Sequence, residues 1–156
     1  MNTLIASMLA PKFSLLNQYG KVVTLSNFLG KKVLCYFYPK AMTSGCTLQA
    51  QGMRDSKSEL DRYNVVILGI STDSVKRLRK FFDCQNLNFT LLSDENHIVS
   101  EQFGVWGQKK FMGKSYYGLH RFSFLLNEVG IIEYVFSKFK TKEHHTIVLN
   151  YLKQKR

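Results

Sequence analysis

The chain has 156 residues, of which 45% are hydrophobic and 21% charged, and its formal net charge at pH 7 is +11. This length corresponds to one domain, predicted over residues 1–156, that can bury a core without disulfide bonds. No stretch reaches the ~20 consecutive apolar residues of a membrane span, so we expect no membrane partner.

The number and spacing of the cysteines and the distribution of charge limit the possible functions further. The three cysteines, Cys35, Cys46 and Cys84, are too few and too irregularly spaced for a disulfide framework, which fits a reducing compartment. The N-terminus lacks the pattern of a signal peptide, and we therefore expect a cytoplasmic protein. Lysines and arginines are dispersed without a stripe of interleaved aromatic residues, so we expect no nucleic-acid partner.

The first half of the chain alternates strands with helices. Residues 13–16 and 22–25 flank a turn at 17–20 and predict a hairpin. The continuous apolar runs 33–38 and 65–70 are typical of parallel strands that are covered on both faces. A helix is predicted over 46–63, between those two runs.

The second half continues this pattern and ends in a hairpin and a helix. Helices are predicted over 73–84, where Asp73 or Ser74 can cap the first turn, and over 95–103. Residues 122–126 and 131–136 predict a second hairpin, and 142–155 a final helix. The fold class is therefore α/β, with a central mixed, mainly parallel sheet flanked by helices.

The segment from Pro39 to Cys46 carries the chemistry. A buried strand ends at Tyr38, a loop follows, and Cys46 falls in the first turn of a helix at the carboxyl end of a parallel strand, the edge where open α/β sheets bind ligands. Free N–H groups and the partial positive charge of a helix N-terminus favour a thiolate. Thr43 can donate its hydroxyl hydrogen to the sulfur or to an incoming oxygen, and Pro39 can wall one side of the pocket.

The spacing Pro-x-x-x-Thr-x-x-Cys, formed by Pro39, Thr43 and Cys46, resembles the active-site motif of the peroxiredoxins. The similarity extends from Pro11 to Leu152 and is greatest to the bacterioferritin comigratory protein branch, also called PrxQ. It implies a thioredoxin-like fold and a thiol peroxidase that needs no cofactor. The thiolate would reduce a hydroperoxide and become a sulfenic acid, which thioredoxin or another thiol reductant would recycle.

The resemblance also implies further site residues. Arg121 matches an arginine that the family places before a late strand, where its guanidinium can stabilise the thiolate and hold peroxide oxygens. Gln49 lies one turn beyond Cys46, where relatives carry Glu or Gln, and can orient Arg121. Members of this branch are often monomers, and we expect the same here.

The family pattern breaks at the resolving cysteine. Gln51 stands where many members carry that second cysteine, and Ser44 replaces a common proline. In other members the resolving cysteine lies in the following helix, which here contains Cys84. Cys84 is two residues beyond the position of that cysteine, which corresponds to about 200° of rotation around the helix. Cys84 is thus a possible resolving residue or a bystander, whereas Cys35, inside an apolar run, is expected to pack in the core.

Three alternatives to a peroxidase can be weighed from the sequence. A redox-sensing binding module with negligible turnover would not need Pro39, Thr43 and Arg121 together. A nucleic-acid-binding protein lacks the expected stripe, and a thioredoxin-type oxidoreductase lacks a Cys-x-x-Cys pair. No histidine pairs with a cysteine at zinc-ligand spacing, so no metal is expected, and His144 with His145 is predicted to lie at the surface.

Overall fold

The computed structural model describes residues 1–155; Arg156, the last residue of the predicted domain, lies outside the described residues. Nine strands and five α-helices make up this part of the chain, with a 3-10 turn at Leu25–Phe28. The strands are β1 Ser14–Asn17, β2 Val22–Thr24, β3 Lys32–Phe37, β4 Val65–Ser71, β5 Thr90–Ser93, β6 Trp106–Phe111, β7 Lys114–Leu119, β8 Phe122–Leu126 and β9 Ile132–Phe136. The helices are α1 Ser44–Asp55, α2 Lys57–Arg62, α3 Val75–Cys84, α4 Ile98–Gln102 and α5 His144–Gln154.

Seven strands form one mixed sheet in the order β2-β1-β5-β4-β3-β8-β9. Pairing is parallel between β3 and β4 and between β4 and β5, and the outer ladders are antiparallel. The predicted α/β class and mixed sheet are confirmed, with parallel pairing confined to the three central strands. Because β3 is central, its carboxyl end and the loop to α1 lie at the middle of one sheet edge.

The sheet separates two hydrophobic cores. Successive β3 side chains point to opposite faces, so Leu34 and Tyr36 pack into the core that α1, α2, α3 and α5 cover. Cys35 and Phe37 pack into the second core, beneath α4 and the N-terminal segment. Cys35 is fully buried, as predicted, and burial raises the pKa of its thiol to about 12.

The structure differs from the sequence-based expectation at two places. The helix expected over 46–63 is two helices, because Ser56 is both the last cap of α1 and the first cap of α2. Ser56 is buried, and Leu60 in α2 is completely buried. The hairpin of β6 and β7 was not predicted. Its turn is Met112-Gly113, both at positive φ, and methionine is not among the residues that typically mark such turns. Within residues 1–155, no helix combines the length and apolarity needed to cross a membrane.

Candidate active site

Cys46 lies near the N-terminus of α1, as the sequence predicts. Thr43 is the N-cap, and the first amide that bonds within the helix is that of Thr47, which donates to the Thr43 carbonyl at 2.9 Å. The cap makes no side-chain hydrogen bond to the first turn. The amide of Cys46 therefore lies in the turn whose N–H groups have no helical acceptor, and the residue as a whole is 2% exposed.

Arg121 points at the sulfur from just before β8. Its Nη1 and Nη2 each lie 3.5 Å from Sγ of Cys46. Nη1 also donates to Oε1 of Gln49 at 2.6 Å, and Gln49 is fully buried in α1, one turn after the cysteine. This contact agrees with the predicted orienting position of Gln49. A guanidinium fixed in this way can donate to a thiolate and to an oxygen beside it.

The other two predicted site residues lie in the loop between β3 and α1. Pro39 follows buried Tyr38 and is half-buried. Thr43 is exposed, and its hydroxyl donates to the Lys40 carbonyl at 2.7 Å rather than to the sulfur. With its hydrogen committed to that carbonyl, the Thr43 oxygen is left with lone pairs that can accept a hydrogen bond.

The same loop is anchored by two residues for which the sequence predicted no such role. The sequence left Asp73 and Ser74 as alternative caps of this helix, and Ser74 caps α3, where its Oγ accepts a hydrogen bond from the Arg77 amide at 3.2 Å. Oδ2 of Asp73 instead accepts the Ala41 amide at 2.8 Å, while Arg77 donates to Oδ1 of Asp73 and to the Ala41 carbonyl, each at 2.9 Å. The four-residue spacing of Asp73 and Arg77, in a segment where the sequence predicts a helix, was the feature that could have indicated this ion pair.

A buried aromatic cluster lies behind the thiol. His144 is completely buried, which corrects the prediction of a surface histidine, and its Nε2 lies 2.6 Å from Oγ of Ser123. Burial, then the nearby charges of His145 and Arg121, lower the pKa of His144 to about 3, so it is neutral at physiological pH. Tyr36 packs against it, with ring centroids 5.6 Å apart, and burial raises the pKa of Tyr36 well above its ordinary value.

Within residues 1–155, no hydrogen bond joins Cys84 to the group formed by Cys46, Gln49 and Arg121. Cys84 is the exposed last residue of α3, and all three cysteines are free thiols. The next residue, Gln85, accepts a hydrogen bond from Nε2 of Gln51 at 2.9 Å, and its carbonyl accepts one from Arg54 at 2.7 Å. The end of α3 is therefore tied to the part of α1 that lies beyond Cys46.

Comparison with known proteins gives consistent matches. The model of the AhpC/TSA family matches residues 7–135. One relative, from Haemophilus influenzae, is 61% identical over 98% of this chain and 99% of its own. Peroxiredoxin Bcp of Escherichia coli is 58% identical over 99% of each chain. The solved structure of the Xanthomonas campestris bacterioferritin comigratory protein, described for its alkyl peroxide reduction activity, has a TM-score of 0.87 and 30% identity over 99% of this chain and 98% of its own.

Proposed function

Since the chain belongs to the AhpC/TSA family and, within it, to the Bcp peroxiredoxins, we propose that Cys46 is its peroxidatic residue. The observation that carries this proposal is the approach of both terminal nitrogens of Arg121 to within 3.5 Å of the Cys46 sulfur. A thiolate at that position is favoured by the guanidinium and by the N-terminus of α1. Cys35, by contrast, is buried in the opposite core, and within residues 1–155 no arginine donates to its sulfur.

The reaction transfers one oxygen atom to sulfur. The Cys46 thiolate attacks the distal oxygen of a hydroperoxide, the S–O bond forms, and the O–O bond breaks. The leaving oxygen takes a proton and departs as water or an alcohol, and the sulfur is oxidised to a sulfenic acid. Arg121 would stabilise the negative charge that passes from sulfur to the leaving oxygen, in a geometry already fixed by Gln49.

Thr43 and Pro39 complete the proposed peroxide site. The Thr43 oxygen, whose hydrogen is donated to Lys40, can accept the O–H of a bound hydroperoxide and so set its orientation. Pro39 offers no N–H to compete for peroxide oxygens and covers one side of the loop. Ala41 lies between Pro39 and Thr43 in the loop. By binding its amide and its carbonyl, Asp73 and Arg77 would hold Pro39 and Thr43 in position.

Recycling would follow a one-cysteine route. An external thiol attacks the sulfenic acid, water leaves, and a second thiol reduces the mixed disulfide, so that two thiols become one disulfide. A small thiol or a thioredoxin-like protein in the reducing cytoplasm would supply these electrons. We favour this route over resolution by Cys84, because Gln51 and Arg54 hold the neighbouring Gln85 against the far part of α1. Every group of the proposed site comes from one chain, which fits a monomer.

A purely redox-sensing module is less well supported than an enzyme. A sensor needs a reactive thiol, whereas the Arg121 and Gln49 arrangement beside Cys46 supplies donors for a peroxide as well. The high identity to a peroxiredoxin over the whole length of both chains also favours turnover.

Mass spectrometry after one equivalent of hydroperoxide tests the proposal. With a nucleophilic trap for sulfenic acids present, we expect one adduct on Cys46 and none on Cys35 or Cys84. Stoichiometric oxidation of another cysteine, with Cys46 unmodified, would contradict the assignment.

A further inference from the structure

An apolar cavity lies at the amino end of β3, whereas the Cys46 loop follows the carboxyl end of the same strand. Its buried lining residues are Val33, the first buried residue of β3, Leu126, the last residue of β8, and Ala10. All three belong to the core beneath α4. Because β3 has six residues, at roughly 3.3 Å per residue the strand places about 20 Å between the cavity and the active-site loop.

Three chain segments that are joined by backbone hydrogen bonds surround the cavity. They contribute lining residues from 9–12, 25–31 and 126–130. The Ala10 amide donates to the Gly130 carbonyl at 3.0 Å, and the Gly30 amide donates to the Glu128 carbonyl at 2.9 Å. The fold therefore forms the cavity before any ligand binds, which is usual for small-molecule sites.

The polar side chains that line the cavity can all donate hydrogen bonds, and two of them are cations. Lys12 and Lys31 are exposed, and in the described part of the chain neither forms an ion pair. Asn127 accepts the amides of Val129 and Ile131 with its Oδ1, at 3.1 and 3.0 Å, so its Nδ2 can still donate to a ligand. No acidic side chain is among the lining residues in this part of the chain, although the sequence contains 11. The lining therefore complements an anion.

We propose that this cavity binds a small amphipathic carboxylate, whose apolar part is a single aromatic ring or a short alkyl chain. The volume of the cavity is about 140 Å³, close to the ~150 Å³ of an apolar cavity that admits benzene. The carboxylate lies at the rim, where Lys12 and Lys31 supply charge-assisted donors. Since the cavity and Cys46 lie at opposite ends of β3, the ligand is not a peroxide substrate and leaves the active site open.

The rim of the cavity favours a small ligand over a protein partner. Leu9, Leu29 and Val129 line the cavity and are 64%, 62% and 63% exposed. Covering these side chains removes apolar surface from water, which favours binding. Three apolar side chains around one cavity are far less than the ~800 Å² that each partner buries in a standard protein interface. A ligand of ring size, by contrast, can contact all three.

A matched pair of ligands tests the proposal on the full chain. Amide NMR signals are followed during titration with phenylacetate and with phenylacetamide, its neutral amide. We expect phenylacetate to bind more tightly and to shift the signals of Gly30, Lys31 and 128–130. Substituting both Lys12→Gln and Lys31→Gln should weaken phenylacetate binding by about fivefold, the effect of losing two exposed charge contacts, and leave phenylacetamide binding unchanged.

Two further variants make the result decisive. Lys80→Gln is the control, because Lys80 is exposed on α3, which covers the opposite face of the sheet. Val129→Asp adds a negative charge at the exposed rim, so it should abolish phenylacetate binding with little change in the thermal transition.

Three outcomes would overturn the proposal. Signal shifts confined to 41–46 and Arg121 would show that phenylacetate binds the guanidinium of the active site instead. Equal weakening in Lys80→Gln would show a general effect of net charge. The absence of saturable shifts at ~10 mM phenylacetate would show that the cavity does not bind this class of ligand. None of these outcomes depends on whether Cys46 is peroxidatic.

Discussion

Both terminal nitrogens of Arg121 lie 3.5 Å from the sulfur of Cys46, so one guanidinium faces one thiol across the helix N-terminus. The two residues are 75 positions apart in the chain, and the fold brings them together because β8, which Arg121 precedes, pairs with β3, which leads into the Cys46 loop. Removing Arg121 should therefore affect the reaction more than the fold.

For Arg121→Met, we expect the second-order rate with hydroperoxide to fall by ~10²–10³, the usual cost of losing one donor that stabilises developing charge. The thermal transition should change little, because Arg121 is only half-buried. Arg121→Lys keeps the charge but loses the two-nitrogen geometry, so its rate with hydroperoxide should lie between the rates of wild type and Arg121→Met. A stopped-flow rate within about twofold of wild type would remove Arg121 from the site.

Cysteine substitutions distinguish the two buried thiols. Cys46→Ser should abolish peroxide consumption, whereas Cys35→Ser should retain most of it, because burial raises the Cys35 pKa to about 12 and keeps that thiol protonated. Peroxide consumption at equal protein concentration measures the difference. Comparable activity in the Cys46 variant would exclude the proposed mechanism.

The anchoring of the loop by Asp73 can be tested against a matched ion pair. Asp73→Asn weakens a buried acceptor of the Ala41 amide, so we expect a loss of about 1–3 kcal/mol in the free energy of unfolding and slower peroxide reduction. Asp83→Asn is the control, because Asp83 forms an exposed pair with Arg79 at the same four-residue spacing. That change should cost less than about 1 kcal/mol. Denaturant unfolding of both variants measures the contrast, and equal losses would contradict the anchoring role.

The burial of His144 predicts a pH dependence of stability. Its pKa is lowered from 6.5 in the unfolded chain to about 3 in the fold, so the unfolded state binds the proton more readily. The stabilising contribution is complete above pH 6.5 and is lost as the pH falls from 6.5 toward 3. Over that window this group alone contributes a slope of about 1.4 kcal/mol per pH unit. In His144→Gln, the free energy of unfolding should depend less steeply on pH between 6.5 and 3. Denaturant unfolding repeated at several pH values measures this dependence, and an unchanged dependence on pH would show that His144 is not the cause.

The sequence predicted most of the fold because its central elements carry strong local patterns. The apolar runs of β3 and β4 and the turn before β9 needed no tertiary information. The hairpin of β6 and β7 did, because its strands carry polar, basic and aromatic residues without apolar alternation and its turn contains Met112. The burial of His144 likewise depends on Ser123 and Tyr36, which pack against it from β8 and β3.

The candidate site also contains residues that the local sequence predicts and contacts that only the tertiary structure reveals. Cys46 and its helix position follow from the local sequence, and the resemblance to the family adds Pro39 and Thr43 from the motif and Arg121 from outside it. The anchoring of Ala41 by Asp73 and Arg77 depends on contacts between segments 32 or more residues apart. Residue types alone do not encode those contacts.

Recycling provides the last prediction. A disulfide requires the two Cα atoms to come within about 7 Å, and Cys84 ends α3 beside Gln85, which Gln51 and Arg54 hold by hydrogen bonds. Pairing with Cys46 would therefore require the last turn of α3 to unwind and both contacts to break. We expect a trappable sulfenic acid at Cys46 with Cys84 still free, and Cys84→Ser should keep its turnover with a small thiol. Non-reducing peptide mapping after one peroxide equivalent decides the question, and a stoichiometric disulfide between Cys46 and Cys84 would replace the one-cysteine route with an intramolecular one.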